Sequence, residues 1–204
     1  KNESIVEISN KILTLCLAFS LGVMGAFLAF SNELGQVFYS SNDVGQYIRV
    51  LAFLMPVMYM DTVTDGMLRG IGEHLYSMRV NIADSLISTL LVYLLLPRYA
   101  VGGYIFILFA SEIFNFSLSI GRLKKKGGIS GITSRLPQCL AASLVSALAA
   151  RALFSASGGI KGVWGLVLGI LCFTALYSAA LILTGVVKTE KIKTFFVKKY
   201  VSGR

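Results

Sequence analysis

Apolar residues run along this chain in long blocks, and the polar stretches between the blocks are short. From Ile12 to Phe30 there are nineteen residues without a charge, and from Gly162 to Val187 there are twenty-six. About twenty apolar residues cross the hydrocarbon of a bilayer as a helix, so both blocks are long enough to span it. Four further blocks have similar length, each with one or two ionisable groups: Val50 to Met67, Val80 to Leu96, Ala100 to Gly121, and Leu136 to Ala156. The pattern predicts an all-α fold, a polytopic membrane helical bundle of six transmembrane helices at about 12–30, 50–67, 80–96, 100–121, 136–156 and 162–187. The first block is long for the apolar region of a signal peptide, and no A-x-A pattern follows it, so it is read as a true span.

The stretches between blocks have turn chemistry: "SNELGQVFYSSNDVGQ", "GIGEH", "PRYAVGG", "KKKGGISG" and "SASGGIKG". Pro56 falls inside the second predicted helix and is expected to kink it, because proline removes one backbone hydrogen bond. Small residues recur four apart at Ala18, Gly22 and Ala26, at Ala142, Ser146 and Ala150, and at Gly165 and Gly169. Such ridges let backbones approach closely in lipid, although small residues are also simply common in spans.

Composition agrees with a membrane as solvent: 55% of residues are hydrophobic, 14% are charged, and the mean hydropathy is +0.74. A net charge of +9 could point to nucleic acid. The basic residues instead follow the predicted helix ends and are not interleaved with stacking aromatics, which argues against a nucleic-acid partner. Fifteen of the nineteen lie on one side of the predicted bundle, against Arg49, Arg98, Arg151 and Lys161 on the other. The positive-inside rule then places both termini in the cytoplasm, and the protein is expected in the plasma membrane. The final "KTEKIKTFFVKKY" is expected to lie along the inner leaflet. Cys16, Cys139 and Cys172 have no metal-ligand spacing and read as small apolar residues. No GxSxG, HExxH, P-loop or Cys/His cluster occurs, so no enzyme activity, catalytic residue, metal site or cofactor is assigned.

Ionisable groups inside a span cost roughly 2.5 to 3.5 kcal/mol at its centre, and by default they face protein or water. The second predicted helix contains Asp61 and Asp65, the third Asn81, Asp84, Ser85 and Ser88, and the fourth Glu112, Asn115 and Ser119. Spacings of three, four and seven put each set on one helical face. With the predicted topology, all three stripes fall in the middle or cytoplasmic half of the bilayer. Asp61, Asn81, Asp84, Glu112 and Asn115 are therefore expected to line a polar cavity opening inward, for substrate or a cation. Asp61 and Glu112 have no cation on their own helix, which suits a proton carrier or a cation site. Asp65 and Arg69, one turn apart, suit an ion pair at the inner gate or a helical pair with a snorkelling arginine. Asp84 has Arg79 or Arg69 as alternative partners. His74 is expected in a solvated loop, and Arg151 is expected to reach the headgroups.

The stretch "YIRVLAFLMPVMYMDTVTDGMLRGIGEH" with its Pro56, the next span ending "LLLPRYAVGGY", and the span after it resemble the C-terminal part of polysaccharide-biosynthesis exporters. These include stage V sporulation protein B-like proteins and lipid-linked oligosaccharide flippases, and the resemblance covers about residues 8 to 123. It implies the superfamily that also holds multidrug and toxic compound extrusion (MATE) transporters, in which two bundles of six helices rock about a central cavity. On that scheme residues 1–123 are the C-terminal part of the second bundle, and residues 124–204 hold two added helices and a basic tail. About eight helices of the same protein are then expected upstream. The implied partners are membrane lipid and a lipid-linked saccharide, and the acidic groups suit Na⁺ or H⁺ as coupling ion. A cation-coupled drug exporter and a non-transporting membrane scaffold are the alternatives.

Overall fold

The computed structural model describes residues 2–127, 132–156 and 162–186. Among them the chain forms helices only: α1 (Asn2–Tyr39), α2 (Asn42–Ala52), α3 (Met55–Gly70), α4 (His74–Gly127), α5 (Ile132–Ala156) and α6 (Val163–Leu183). Four segments are long and apolar enough to cross a membrane: Val6–Tyr39, His74–Lys126, Leu136–Ser155 and Val163–Leu183. The protein is an all-α, multi-pass membrane bundle, as its hydropathy pattern predicts.

As one straight rod, α4 would be about 80 Å long, more than twice the hydrocarbon thickness. It does not run straight. Just after Pro97 the backbone leaves the helical region at Ala100, with φ 47° and ψ −129°. Ser111 donates to Asp84 at 2.7 Å, the Tyr76 hydroxyl donates to the Leu118 carbonyl at 3.4 Å, and Arg122 donates to Glu73 at 2.8 Å. Partners 27, 42 and 49 residues apart can meet only if the two arms lie antiparallel. The predicted helices at 80–96 and 100–121 are therefore the arms of one hairpin, longer at both ends than predicted.

The second predicted helix, 50–67, is in two pieces. At its junction Phe53 and Leu54 donate to Val50 and Leu51 at 3.3 and 2.9 Å, a tighter winding than an α-helix. Pro56 stands in the first turn of α3. There its missing N–H has no helical acceptor to leave unpaired, so the proline starts a helix where a mid-helix kink was expected. The outer connection read over residues 31–46 is also mostly helical. Past a kink at Phe30, α1 continues to Tyr39, and α2 begins at Asn42. Gly35 and Gly45 bring the two backbones together, and Arg49 donates to Ser31 and Asn32 at 3.2 and 3.1 Å. The basic tail, with residues 128–131 and 157–161 of two connections, lies outside the described residues.

The centre of the bundle is α1, which packs against α2, α3, α5 and α6. One half of the core joins Leu13, Leu17, Leu21 and Met24 to Met60 and Leu68 of α3; the other joins Phe30 to Ala150, Leu166 and Phe173. The small-residue ridges lie in these contacts. A Cβ on Gly22 would stand 2.5 Å from the Tyr177 ring, and one on Gly169 would stand 2.7 Å from the Phe30 ring. Close approach lets polar side chains reach across: Ser143 donates to the Leu21 carbonyl and Tyr177 to the Ala18 carbonyl, both at 2.6 Å. Interhelical bonds of this type contribute about 0.6 kcal/mol each on average. Arg151 is spoken for within the bundle, donating to the Ala29 carbonyl and pairing with Glu33 at 3.2 Å. A guanidinium one helix away from a carboxylate prefers that partner to the headgroups expected for it.

Candidate functional site

Three helical segments build the polar region: α3 and the two arms of α4. Asp65 of α3 accepts from Ser77 on the first arm, and Asp61 lies beside Ser119 of the second arm. The Asp65–Ser77 bond thus fastens α3 to the first arm of the hairpin. Asp65 also pairs with Arg69, one turn along α3, at 2.5 Å. With Ser77 and Arg69 as partners the Asp65 charge is locally matched.

The deeper carboxylates are not matched. Asp84 accepts from Ser111 at 2.7 Å and Ser88 at 3.5 Å, and neither Arg79 nor Arg69 reaches it. Glu112 makes no hydrogen bond or ion pair with a described residue, and Asp61, Asp84 and Glu112 lie within electrostatic reach of one another. Asn115, one turn beyond Glu112 and only 8% exposed, leaves its Oδ1 buried without a hydrogen-bond donor, as Asp61 leaves one carboxylate oxygen. Buried acceptors left unpaired cost about 1 to 3 kcal/mol each, and a proton or cation would satisfy them. Among the described residues no group of three His, Cys, Asp or Glu side chains converges closely enough to hold a metal ion.

Asn81 stands apart from this cluster. It is exposed and lines a separate cavity of about 440 Å³ with Arg69, His74, Ser77 and Ser85. The five expected cavity residues are thus divided between an interior face, holding Asp61, Asp84, Glu112 and Asn115, and an open one, holding Asn81. In a protein whose native cysteines are replaced, Asn81→Cys is expected to react with a water-soluble thiol reagent more than about tenfold faster than Asn115→Cys. Equal rates at the two positions would show that the open and interior faces are not distinct.

Sequence reasoning did not find the charge clamp at the basic end of the hairpin. Glu73, just before α4, takes Arg122 on one carboxylate oxygen and Lys126 on the other, both at 2.8 Å. Hydrogen bonds from Lys126 and then Arg122 hold the Glu73 carboxyl below the usual carboxylate range. The Arg122 guanidinium also lies 4.9 Å from the centre of the Tyr76 ring. The available signal was an acid in "GIGEH" and bases four apart in "GRLKKK", at the same membrane face of an antiparallel pair.

This region of α3 and the first arm of α4 is also where the chain compares with known proteins. Residues 1–94 match the MatE family model. The MatE match takes in α1 to α3 and most of the first arm, including Asp61, Asp65, Arg69, Asn81 and Asp84; Glu112 and Asn115 lie beyond it. MatE proteins are membrane transporters, and the match supports an exporter of the MATE-like superfamily. At the level of the family it also agrees with a function other than catalysis. No curated protein and no solved structure matches the chain.

Proposed function

We propose that the chain works as one bundle of an alternating-access exporter in the plasma membrane, with both termini cytoplasmic, that moves lipid-linked oligosaccharide or polysaccharide precursors. Its step is coupled to H⁺ or Na⁺ at Asp61 and Glu112, with Asp84 and Asn115 beside them. The observation that carries this reading is a set of partly buried carboxylates, Asp61, Asp84 and Glu112, on helices that pack together, without a basic partner among the described residues. Such groups are expensive in lipid and belong to ion or proton pathways by default. The resemblance of residues 8 to 123 to polysaccharide exporters supplies the cargo, and Asp65 with Arg69 supplies the inner-gate pair.

A strain lacking the gene is expected to lose surface polysaccharide and to accumulate its lipid-linked precursor, and the intact gene should restore both. Normal polysaccharide together with drug hypersensitivity would overturn the cargo. It would support a cation-coupled multidrug exporter, a reading with which the MatE match is also consistent.

A further inference from the structure

We propose that the open cavity beside the α3–α4 turn is a binding site for an anionic phospholipid of the leaflet at the basic end of the bundle, independent of the cargo. The cavity, about 440 Å³, sits where α3 ends and α4 begins. Arg69 and His74 form its rim. The Arg69 side chain is 60% exposed and spends one terminal nitrogen on Asp65. A guanidinium has five N–H donors, so the others are available to a phosphate oxygen in the fork geometry that arginine supplies. The two nearest acids are already engaged, Asp65 by Arg69 and Ser77, Glu73 by Arg122 and Lys126. Three bases, Arg69, Arg122 and Lys126, stand against these two acids, so a further anion at the rim meets a net charge of +1.

Below the rim, two stripes four residues apart run side by side along the first arm of α4. One is polar, with Asn81 and Ser85, and the other is apolar, with Ile82 and Leu86, and all four are exposed. From His74 to Leu86 the helix rises about 18 Å, close to the distance from a headgroup to the middle of the bilayer. Phosphate at Arg69 and His74, glycerol ester oxygens at Asn81 and Ser85, and a chain along Met78, Ile82 and Leu86 account for the wall apart from Ser77, which is engaged with Asp65. The charged rim and the stripe of hydrogen-bond donors distinguish this face from the purely apolar surface that neutral lipid tails would cover.

The test uses the full chain in phosphatidylcholine nanodiscs doped with spin-labelled phosphatidylglycerol or spin-labelled phosphatidylcholine. The immobilised fraction of each label is measured. Wild type is expected to hold the anionic label about fivefold more strongly than the neutral one, the size of effect that one basic residue has near a charged surface. Arg69→Gln should erase the preference, His74→Gln and Asn81→Leu should weaken it, and Lys124→Gln, an exposed base outside the cavity, should leave it intact. The His74 and Asn81 variants leave the Asp65–Arg69 pair in place and keep the test valid if Arg69→Gln disturbs the fold. No preference in wild type, or a preference untouched in all three cavity variants, overturns the proposal. Displacement of the anionic label by millimolar inorganic phosphate would also overturn it, because the site would then take free phosphate rather than lipid.

Discussion

Replacing Asp61 by Asn, or Glu112 by Gln, in the transporting protein is expected to abolish export while leaving its amount in the membrane unchanged or raised. Each exchange keeps the size of the side chain and removes the charge of a partly buried carboxylate. Half-buried Asp61 leaves one carboxylate oxygen without a hydrogen-bond donor, and Glu112 has no described hydrogen-bonding or ionic partner. An uncharged amide at either position lowers the insertion cost, by an amount bounded at about 3.5 kcal/mol. A residue kept for stability would give the opposite sign, less protein when the charge is lost. The coupling step, by contrast, needs a group that binds and releases a positive charge, which neither amide can do. Loss of substrate movement in reconstituted vesicles, with wild-type abundance on a membrane blot, is the expected pair of results. Wild-type transport by both variants would remove these two residues from the site.

Gly35→Val is expected to destabilise the bundle by about 3 kcal/mol or more, the upper end of the usual overpacking range. Its added Cβ would stand 2.6 Å from the Gly45 nitrogen, 2.7 Å from the Ser41 carbonyl oxygen and 2.9 Å from the Gly45 Cα. All three are backbone atoms, so no side chain can turn aside and α2 itself must move off α1. Moving α2 would also pull Arg49 from Ser31 and Asn32. Gly66→Val is the internal control, since nothing lies within 4 Å of a Cβ there. Unfolding in mixed detergent should separate the two variants clearly, and equal midpoints would show that α1 and α2 are not packed as described.

Both predictions depend on features of different legibility. The spans of α1, α5 and α6 are visible as blocks because lipid demands an apolar surface over a fixed length, and that demand is written residue by residue. The arms of α4 are visible for the same reason, and "PRYAVGG" marks the reversal between them. The break between α2 and α3 is not visible in this way, since Phe53 and Leu54 are as apolar as their neighbours; only Pro56 hints at it, and a proline can start a helix as well as bend one. Nor does polarity alone separate an outer loop from a helix, so the segment from Ser31 to Gln46, held by the Gly35–Gly45 approach, reads as a connection. In the candidate site, spacing groups Asp61 with Asp65 and Glu112 with Asn115. It does not show which side of the hairpin Asn81 faces, because that depends on the rotation of one arm against the other.

That rotation is fixed by the rungs of the α4 hairpin. Glu73 meets Arg122, Tyr76 meets Leu118, and Asp84 meets Ser111, so every contact is centred on residues 97–98, just before the kink at Ala100. The arms are in this sense counted against each other. One residue added to a single arm would turn everything beyond it by about 100°, taking the end clamp and the hydroxyl bond to Asp84 out of line together. Lengthening of this hairpin is therefore tolerable only as a paired event, with residues added to both arms at matching depth.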